Sequence, residues 1–326
     1  MIKVQLIRRL RQGTFDGTDN YCQGLHRLLG NDDECRVLPV PDIPQKPSRL
    51  FHFSYEESVL RPYIAQADVV HINGYTDQGT IDAIRLAHRM GRKIVYTAHW
   101  HPFSCLGHPF LGKLFFDLKL KREIIRYVDV VTTINNEDTA FFRSFHPHVV
   151  QIPHWCDFSD PSVSVVRDPH MVLFVGRIND QVKGFGQLLA LPEGHYAIHC
   201  VGKGRLPVVR RDITQHVNIP TDELLLLYRR ASLLVIPSKY EAFSFVALEA
   251  LSQGTPVVMS DRVRIADYLG LSKGYSVYRY GDSEDFVRKV AQTIGQEVDA
   301  ARIRQFFDSR RIASTYKDLY LSLTNR

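Results

Sequence analysis

Glu241 and Glu249 lie eight residues apart in SKYEAFSFVALEALSQGTPVVMSD, residues 238–261. Glu249 interrupts the apolar run from Val246 to Leu251, and Glu241 follows the run Leu233–Ile236, which ends at Pro237. A carboxylate is rarely buried without a partner, because desolvating its charge is costly. Ser244 has the chemistry of an N-cap and Gly254 that of a C′ residue, so a short helix is expected between them. Glu241 then falls in the loop at the carboxyl end of a strand, and Glu249 within the helix that follows. Two such acceptors suit a ligand rich in hydroxyls: one carboxylate can accept both hydroxyls of a ribose diol, the other those of a sugar. The alternative is structural, a solvated loop residue and an ion-paired helix residue. Spacing alone leaves both open.

A basic set accompanies the acids. In LFVGRINDQVKGFGQLL, residues 173–189, Gly176 lets the chain turn close to a ligand and Arg177 offers a planar fork for phosphate oxygens. Lys183 adds a point charge just before a helix N-terminus. VGKGR, residues 201–205, is a two-glycine turn bearing Gly202 and Arg205. RQGTFDGTDNY, residues 11–21, follows the first strand and has the form of a phosphate loop, with Gly13, Thr14, Gly17 and helix amides available. It is not a G-x-G-x-x-G, and no acid sits in a ribose-binding place after the second strand, which argues against a nicotinamide enzyme. His99 has two readings of its own. With His101, Cys105 and His108 it has H-x-H and C-x-x-H spacing for zinc; alternatively it is a satisfied core histidine.

Alternating strand and helix patterns must position these groups. Strands are expected at Val4–Ile7, Arg36–Val40, Asp68–Ile72, Lys93–Thr97, Asp129–Thr133 and Val149–Ile152, with helices such as Thr18–Leu29 and Ile81–Met90 between them. A polar linker, Asp157–Pro169, precedes a second series: strands Met171–Val175, Tyr196–Val201, Leu233–Ile236, Pro256–Met259 and Tyr275–Tyr278. Helices are expected at Gly184–Leu191, Asp222–Arg230, Phe245–Ser252 and Ser283–Ile294. The fold class is α/β, with two doubly wound domains facing across a cleft, and ligands are expected beyond the carboxyl ends of the strands.

The 326 residues are 44% hydrophobic and 23% charged, the composition of a soluble globular chain long enough for two cores. The net charge of +6 fits an anionic ligand or membrane surface, and its scatter along the chain fits nucleic acid less well. Five widely spaced cysteines without C-x-x-C fit reduced thiols and a cytoplasmic location. The N-terminus reads directly into a strand, and no apolar run approaches the roughly 20 residues that span a bilayer. GKLFFDLKLKREIIRY, residues 112–127, mixes apolar and basic residues. It is either a membrane-interface helix or a core helix with a solvated basic face.

From Leu227-Tyr228 and Ala231 through Pro237-Ser238, Glu241, Phe243, Glu249-Ala250 and Gly254 to Pro256-Val257-Val258, the order of residues resembles the E-x7-E region of retaining GT-B glycosyltransferases, family 4. Arg177, Lys183 and Gly184, with five residues between the arginine and the lysine, resemble that family's G-R…K-G segment, and Val201–Arg205 is similar to its V-G-x-G loop. The resemblance implies that Glu249 binds the nucleotide ribose, Glu241 the donor sugar, and Arg177 and Lys183 the diphosphate. It also implies that His99 lies near the reacting sugar and that the backbone from Ala242 through Phe243, Ser244 and Phe245 lines the donor. By the same resemblance residues 1–155 bind the acceptor, with helix 309–326 packed back onto them, and residues 156–308 bind the nucleotide sugar. The implied activity is metal-independent transfer of a hexose-type sugar from UDP- or GDP-sugar to a glycan or lipid-linked acceptor in envelope synthesis. No cofactor and no nucleic acid take part, and peripheral contact with the inner face of a membrane runs through 112–127. The family's glycines flanking Phe243 are Ala242 and Ser244 here, and its linker Asn-Gly is His154-Trp155. A nucleotide-sugar epimerase and a catalytically silent partner of the same fold are the other readings these residues allow.

Overall fold

The computed structural model describes residues 1–8, 17–46, 54–74, 76–99, 109–157, 165–270 and 272–324. The chain divides into two units, Met1–His154 with Ser309–Arg326, and Trp155–Asp308.

The first unit runs β1 (Ile2–Arg8), α1 (Gly17–Leu29), β2 (Cys35–Leu38), β3 (Gln45–Lys46), β4 (Ser54–Tyr55), α2 (Glu57–Ala65), β5 (Val69–Gly74) and α3 (Gln78–Arg89). It continues with β6 (Lys93–Ala98), α4 (Pro109–Phe115), α5 (Lys121–Tyr127), β7 (Val130–Thr133), α6 (Asn136–Arg143) and β8 (Val149–Gln151). Among the described residues the main sheet is parallel, in the order β2-β1-β5-β6-β7-β8, and β3 pairs with β4 alone. Central strands covered on both faces carry near-continuous apolar runs, and every residue of β5 is buried. Helix α3 starts where Asp77 accepts a hydrogen bond from the Thr80 amide at 2.8 Å, and it ends just before Gly91 at φ +67°.

The second unit runs β9 (Asp168–Val175), β10 (Ala197–Val201), β11 (Ile213–His216), α7 (Thr221–Arg230), β12 (Ala231–Ile236), α8 (Phe245–Ser252), β13 (Val257–Ser260), α9 (Ala266–Leu269), β14 (Tyr275–Tyr278), α10 (Ser283–Thr293) and α11 (Ala300–Phe306). Its sheet is also parallel, in the order β11-β10-β9-β12-β13-β14 among the described residues. Val172, Phe174, Ile198, Leu233, Val235 and Val258 pack its core against Phe185, Leu188 and Phe286. The final helix, α12 (Ser309–Thr324), returns to the first unit, where Ile312, Ala313, Tyr316 and Tyr320 form its buried stripe.

Two expectations need correction, and strand β11 is additional to those expected. Gly184–Leu191 is not an α-helix: a 3₁₀ turn covers Phe185–Ala190, closed by Gln187 N–H to Gly184 O at 3.0 Å and Leu191 N–H to Leu188 O at 3.0 Å. Gly184, Gly186 and the following Pro192 leave little to propagate a longer helix. The stretch 112–127 is not one regular helix, because Phe116–Leu120 is π-helical between α4 and α5. That wider turn lets the consecutive Phe115 and Phe116 both reach the core together with Leu120 and Ile124. Strand β11 is an edge strand whose polar sequence, Ile213-Thr-Gln-His216, carries no apolar run to announce it.

Candidate functional site

In each doubly wound sheet the crevice opens where the strand order reverses. In the second unit that point lies between β9 and β12, and the loops leaving these strands carry Gly176 to Lys183 and Pro237 to Ser244.

The two loops meet. Lys183 Nζ lies 2.9 Å from Glu241 Oε1, and Ser238 Oγ donates to the same oxygen at 2.6 Å. Gly184 has φ +69°, and a Cβ there would come within 2.0 Å of the Pro237 carbonyl oxygen. Gln187 Nε2 donates to that carbonyl at 3.0 Å and is itself braced by Tyr278. The backbone of Glu241 is tied to the loop after β13, its N–H donating to Arg262 O and its carbonyl accepting from Arg264 N–H, both at 3.0 Å. Burial pushes the Glu241 carboxyl up, but Lys183, Ser238 and Ser244 outweigh it and hold the group below its ordinary value. The Glu241 charge in turn raises Lys183. Glu241 is therefore an ionised, anchored carboxylate.

Ser244 has extended backbone, so the chain does not require glycine at this position. Its hydroxyl accepts from Ala247 N–H at 3.3 Å as the N-cap of α8, and its side chain also supports Glu241. Phe243 is buried against Phe245, Tyr268 and Phe307. Its ring thus belongs to the core, and only its backbone can face a ligand. Ala242 and Phe245 are half-buried on either side of this turn.

Glu249 sits in α8 one helical turn before Gln253 and Gly254, the latter at φ +80°. Tyr228, fully buried at the end of α7, donates its hydroxyl to Glu249 Oε2 at 2.8 Å. Burial raises the Glu249 carboxyl above its usual value, opposed by the Tyr228 hydrogen bond. Cys156 is close enough for the Glu249 charge to add to the burial that pushes its thiol up to about 12.

Arg177 is solvent-exposed and pairs with Asp180 at 2.6 Å. Asp180 also accepts from Val182 N–H at 2.9 Å, which shapes the turn before Lys183. The loop after β10 is latched to the one after β9. Ile178 N–H donates to Lys203 O at 2.9 Å, and Asn179 Oδ1 accepts from Arg205 N–H at 2.6 Å. Gly202, at φ +152°, leaves no room for a Cβ, which would lie 2.1 Å from Gly176 O. The structure thus brings Gly176, Arg177, Lys183, Gly202, Arg205, Glu241 and Glu249 onto the carboxyl-end loops and adjoining helix of one sheet. Tyr228 and Ser238, which hold the two glutamates, lay in the matched motif with no sequence signal for that role.

His99 belongs to the first unit, after β6. Its Nε2 lies 2.8 Å from Asn73 Oδ1, an acceptor, so the ring donates there and Nδ1 keeps its lone pair. Its ring stacks on His154 at 5.6 Å and 8°, and Tyr21 meets its edge at 4.8 Å. Burial, then His154, Arg8 and His71, lower its pKa well below the ordinary value, so the imidazole is neutral. His71 lies between Tyr320 Oη and Thr97 Oγ1, each 2.6 Å away, and burial lowers it to about 3. His154, where the resembling family has asparagine, completes this buried cluster and is lowered to about 3 by burial. Gly17 opens α1, whose Asp19 pairs with buried Arg8 at 3.0 Å. Gly13, Thr14, His101, Cys105 and His108 lie outside the described residues. Among the described residues no three His, Cys, Asp or Glu side chains come together as a metal site.

On the 109–127 segment, Leu114, Leu118 and Ile125 are exposed beside Lys113, Lys119, Arg122 and Arg126. Among the described residues no helix is long and apolar enough to cross a membrane.

Residues 169–296 match the family model of the Glycosyl transferases group 1. Over 114 residues, 30% of this chain, the sequence is 39% identical to an uncharacterized glycosyltransferase of Methanocaldococcus jannaschii, and the match spans 29% of that relative. Sucrose-phosphate synthase from Thermosynechococcus elongatus is similar in fold, with a TM-score of 0.69 at 18% identity over 99% of each chain. Anabaena HepE in complex with UDP and glucose gives a TM-score of 0.72 at 15% identity, covering 99% of this chain and 100% of that one. At such identities the likeness is one of fold, that of the GT-B glycosyltransferases.

Proposed function

We propose that this chain, whose second unit carries the group 1 glycosyl transferase match within a GT-B fold, moves a hexose-type sugar from a UDP- or GDP-sugar to a glycan or lipid-linked acceptor with retention at the anomeric carbon. The observation that carries this reading is the contact of Lys183 with Glu241 between the loops that leave β9 and β12. It gathers a cation for a diphosphate and an anchored acceptor for sugar hydroxyls at the point where α/β sheets take ligands.

In this reading Glu249 accepts from the ribose, Glu241 from hydroxyls of the donor sugar, and Arg177 and Lys183 hold the diphosphate. The bond between the anomeric carbon and the diphosphate oxygen breaks, and the charge left on that oxygen is met by the Arg177 fork and the Lys183 ammonium. The acceptor oxygen forms its bond on the same face, and its proton passes to the leaving phosphate oxygen. Arg177 and Lys183 supply the positive charge, so the reaction proceeds without a metal. Neutral His99 takes a substrate hydroxyl on Nδ1. A lipid-linked acceptor fits the exposed Leu114, Leu118 and Ile125 among basic residues, which suit the anionic interface of a membrane's inner face.

The test is equilibrium binding of UDP, GDP, ADP and dTDP, with and without Mg²⁺, to wild type and Glu249→Ala. A diphosphate at about a hundred times its dissociation constant adds roughly 2.7 kcal/mol of stability, read as a melting shift. Selective binding of one base, indifferent to Mg²⁺ and lost in Glu249→Ala, is expected. Equal binding by the variant, or none by wild type, overturns the reading.

A further inference from the structure

Tyr228 is fully buried, and its hydroxyl has one partner of consequence, Glu249 Oε2 at 2.8 Å. Helix α7 brings this hydroxyl from a position 21 residues earlier in the chain. The arrangement divides the carboxylate into two unlike oxygens. Oε2 is taken by a phenolic donor inside the protein, while Oε1 has no protein hydrogen bond among the described residues and is not enclosed with the buried unsatisfied atoms. A carboxyl group rotates readily about its last torsion, so an unsupported glutamate would offer its oxygens in many orientations. A donor fixed on one oxygen removes that freedom and aims the other. The Tyr228 backbone is fixed as well: its carbonyl accepts from the hydroxyl of Thr255, just after α8, so the tyrosine and the helix bearing Glu249 are held together at two points.

We propose that Tyr228 is a positioning residue of the nucleotide site: it occupies Oε2 of Glu249 and turns Oε1 alone toward the ribose diol. This rests on the reading of Glu249 as the ribose acceptor. Glu249 thus engages both ribose hydroxyls through a single oxygen, and the site's preference for a ribose over a sugar lacking them depends on a residue that never touches the nucleotide. A merely structural tyrosine would support α7 and α8 without regard to which nucleotide is bound.

The experiment compares UDP, GDP and ADP with their 2′,3′-dideoxy counterparts by titration calorimetry, on wild type, Tyr228→Phe, Glu249→Gln and Glu249→Ala. Wild type should prefer the ribonucleotide. Tyr228→Phe should reduce that preference by about tenfold, the scale of one hydrogen bond to a charged group, while affinity for the dideoxy nucleotide stays unchanged. Glu249→Gln, with Tyr228 in place, should lose the preference, because the phenol claims the amide oxygen and turns the amide nitrogen to the diol. This second variant bears on the proposal even if Tyr228→Phe does not fold. If Glu249→Ala abolishes the preference but Tyr228→Phe keeps it, or weakens both nucleotides equally, or if Glu249→Gln keeps it, the positioning role is overturned and the ribose reading stands. If Glu249→Ala keeps the preference, the ribose reading falls and the proposal with it.

Discussion

Lys183 and Glu241, 58 residues apart in sequence, meet at 2.9 Å, and Ser238 shares the carboxylate oxygen between them. The pair is partly buried, with side-chain exposures of 30% and 14%, so neither charge is fully screened by water. Lys183→Met leaves Glu241 with its hydroxyl donors but no cation. A loss of roughly 1–3 kcal/mol in stability is expected, with diphosphate affinity reduced about tenfold or more. Urea unfolding and nucleotide titration read the two effects. Unchanged values in both would remove the pair from the site.

The pair also fixes a pH window. Glu241 is held below its ordinary 4.5, so its share of stability is present above that value and disappears as pH falls through the lowered pKa. Lys183 is raised above 10.5, so its share is present below that value and disappears as pH rises through the raised pKa. The pair's contribution to the melting temperature of the second unit should therefore stay flat between about pH 5 and 10. A slope inside that interval that Lys183→Met removes would contradict the assignment.

The first unit behaves differently. His71 and His154 are buried and neutral, each lowered to about 3 by burial from an ordinary 6.5. Between these values the unfolded chain binds protons that the folded one does not, so stability is lost as pH falls below 6.5. The slope is about 1.4 kcal/mol per pH unit for each histidine. Thermal melts from pH 7.5 to 5 should show the first unit losing stability, and His154→Asn, the residue of the resembling family, should remove about a third of the slope, because His99 is kept neutral in the same cluster. A melting temperature constant across this range would show that the rings are solvated.

Gly184 tests the frame under the site. Its φ of +69° disfavours any side chain, and a Cβ would meet the Pro237 carbonyl at 2.0 Å. Gly184→Ala must therefore push the β9 and β12 loops apart, costing about 1–3 kcal/mol and lengthening the Lys183–Glu241 contact. Gly186→Ala, where a Cβ meets nothing within 4 Å, is the control and should be close to neutral. Equal behaviour of the two variants would show that the loops are not in contact.

Leu118 is 60% exposed amid Lys119 and Arg122. If this face meets a membrane, Leu118→Glu should lower partitioning onto vesicles rich in anionic lipid by tenfold or more, since it removes apolar contact and adds repulsion. Nucleotide binding in the second unit should be unaffected. Equal partitioning by variant and wild type, or none by wild type, would leave the face as an ordinary solvated one.

Much of the α/β frame was legible because buried parallel strands write themselves as apolar runs. Leu233–Ile236 is buried throughout, and the helix from Phe245 to Ser252 begins and ends at the cap residues expected of it. Where the signal is not apolar the reading thins: β11 is polar, and the 3₁₀ turn after Gly184 depends on a contact with Pro237 that no local pattern encodes. The same limit governs the site. Glu241 and Glu249 could be found from their place in a strand–loop–helix unit, but their supports could not. Tyr228 reads as a core aromatic and Ser238 as a turn residue, and only the packing of α7 on α8 and the turn after β12 gives either hydroxyl its carboxylate.

Helix α12 closes the first unit with residues that follow the whole of the second. His71 finds its Tyr320 partner only 249 positions later, and Lys317 completes its ion pairs with Asp32 and Glu34 from the same helix. Seen from the ribosome, the second unit is an insertion that can fold as soon as Asp308 has emerged. The first unit waits for α12, its β5 histidine and the α1 tyrosine uncapped until then. A chain stalled before Ser309 would thus carry a finished second unit beside an unfinished first one, whose core is completed by residues made after the whole of the second.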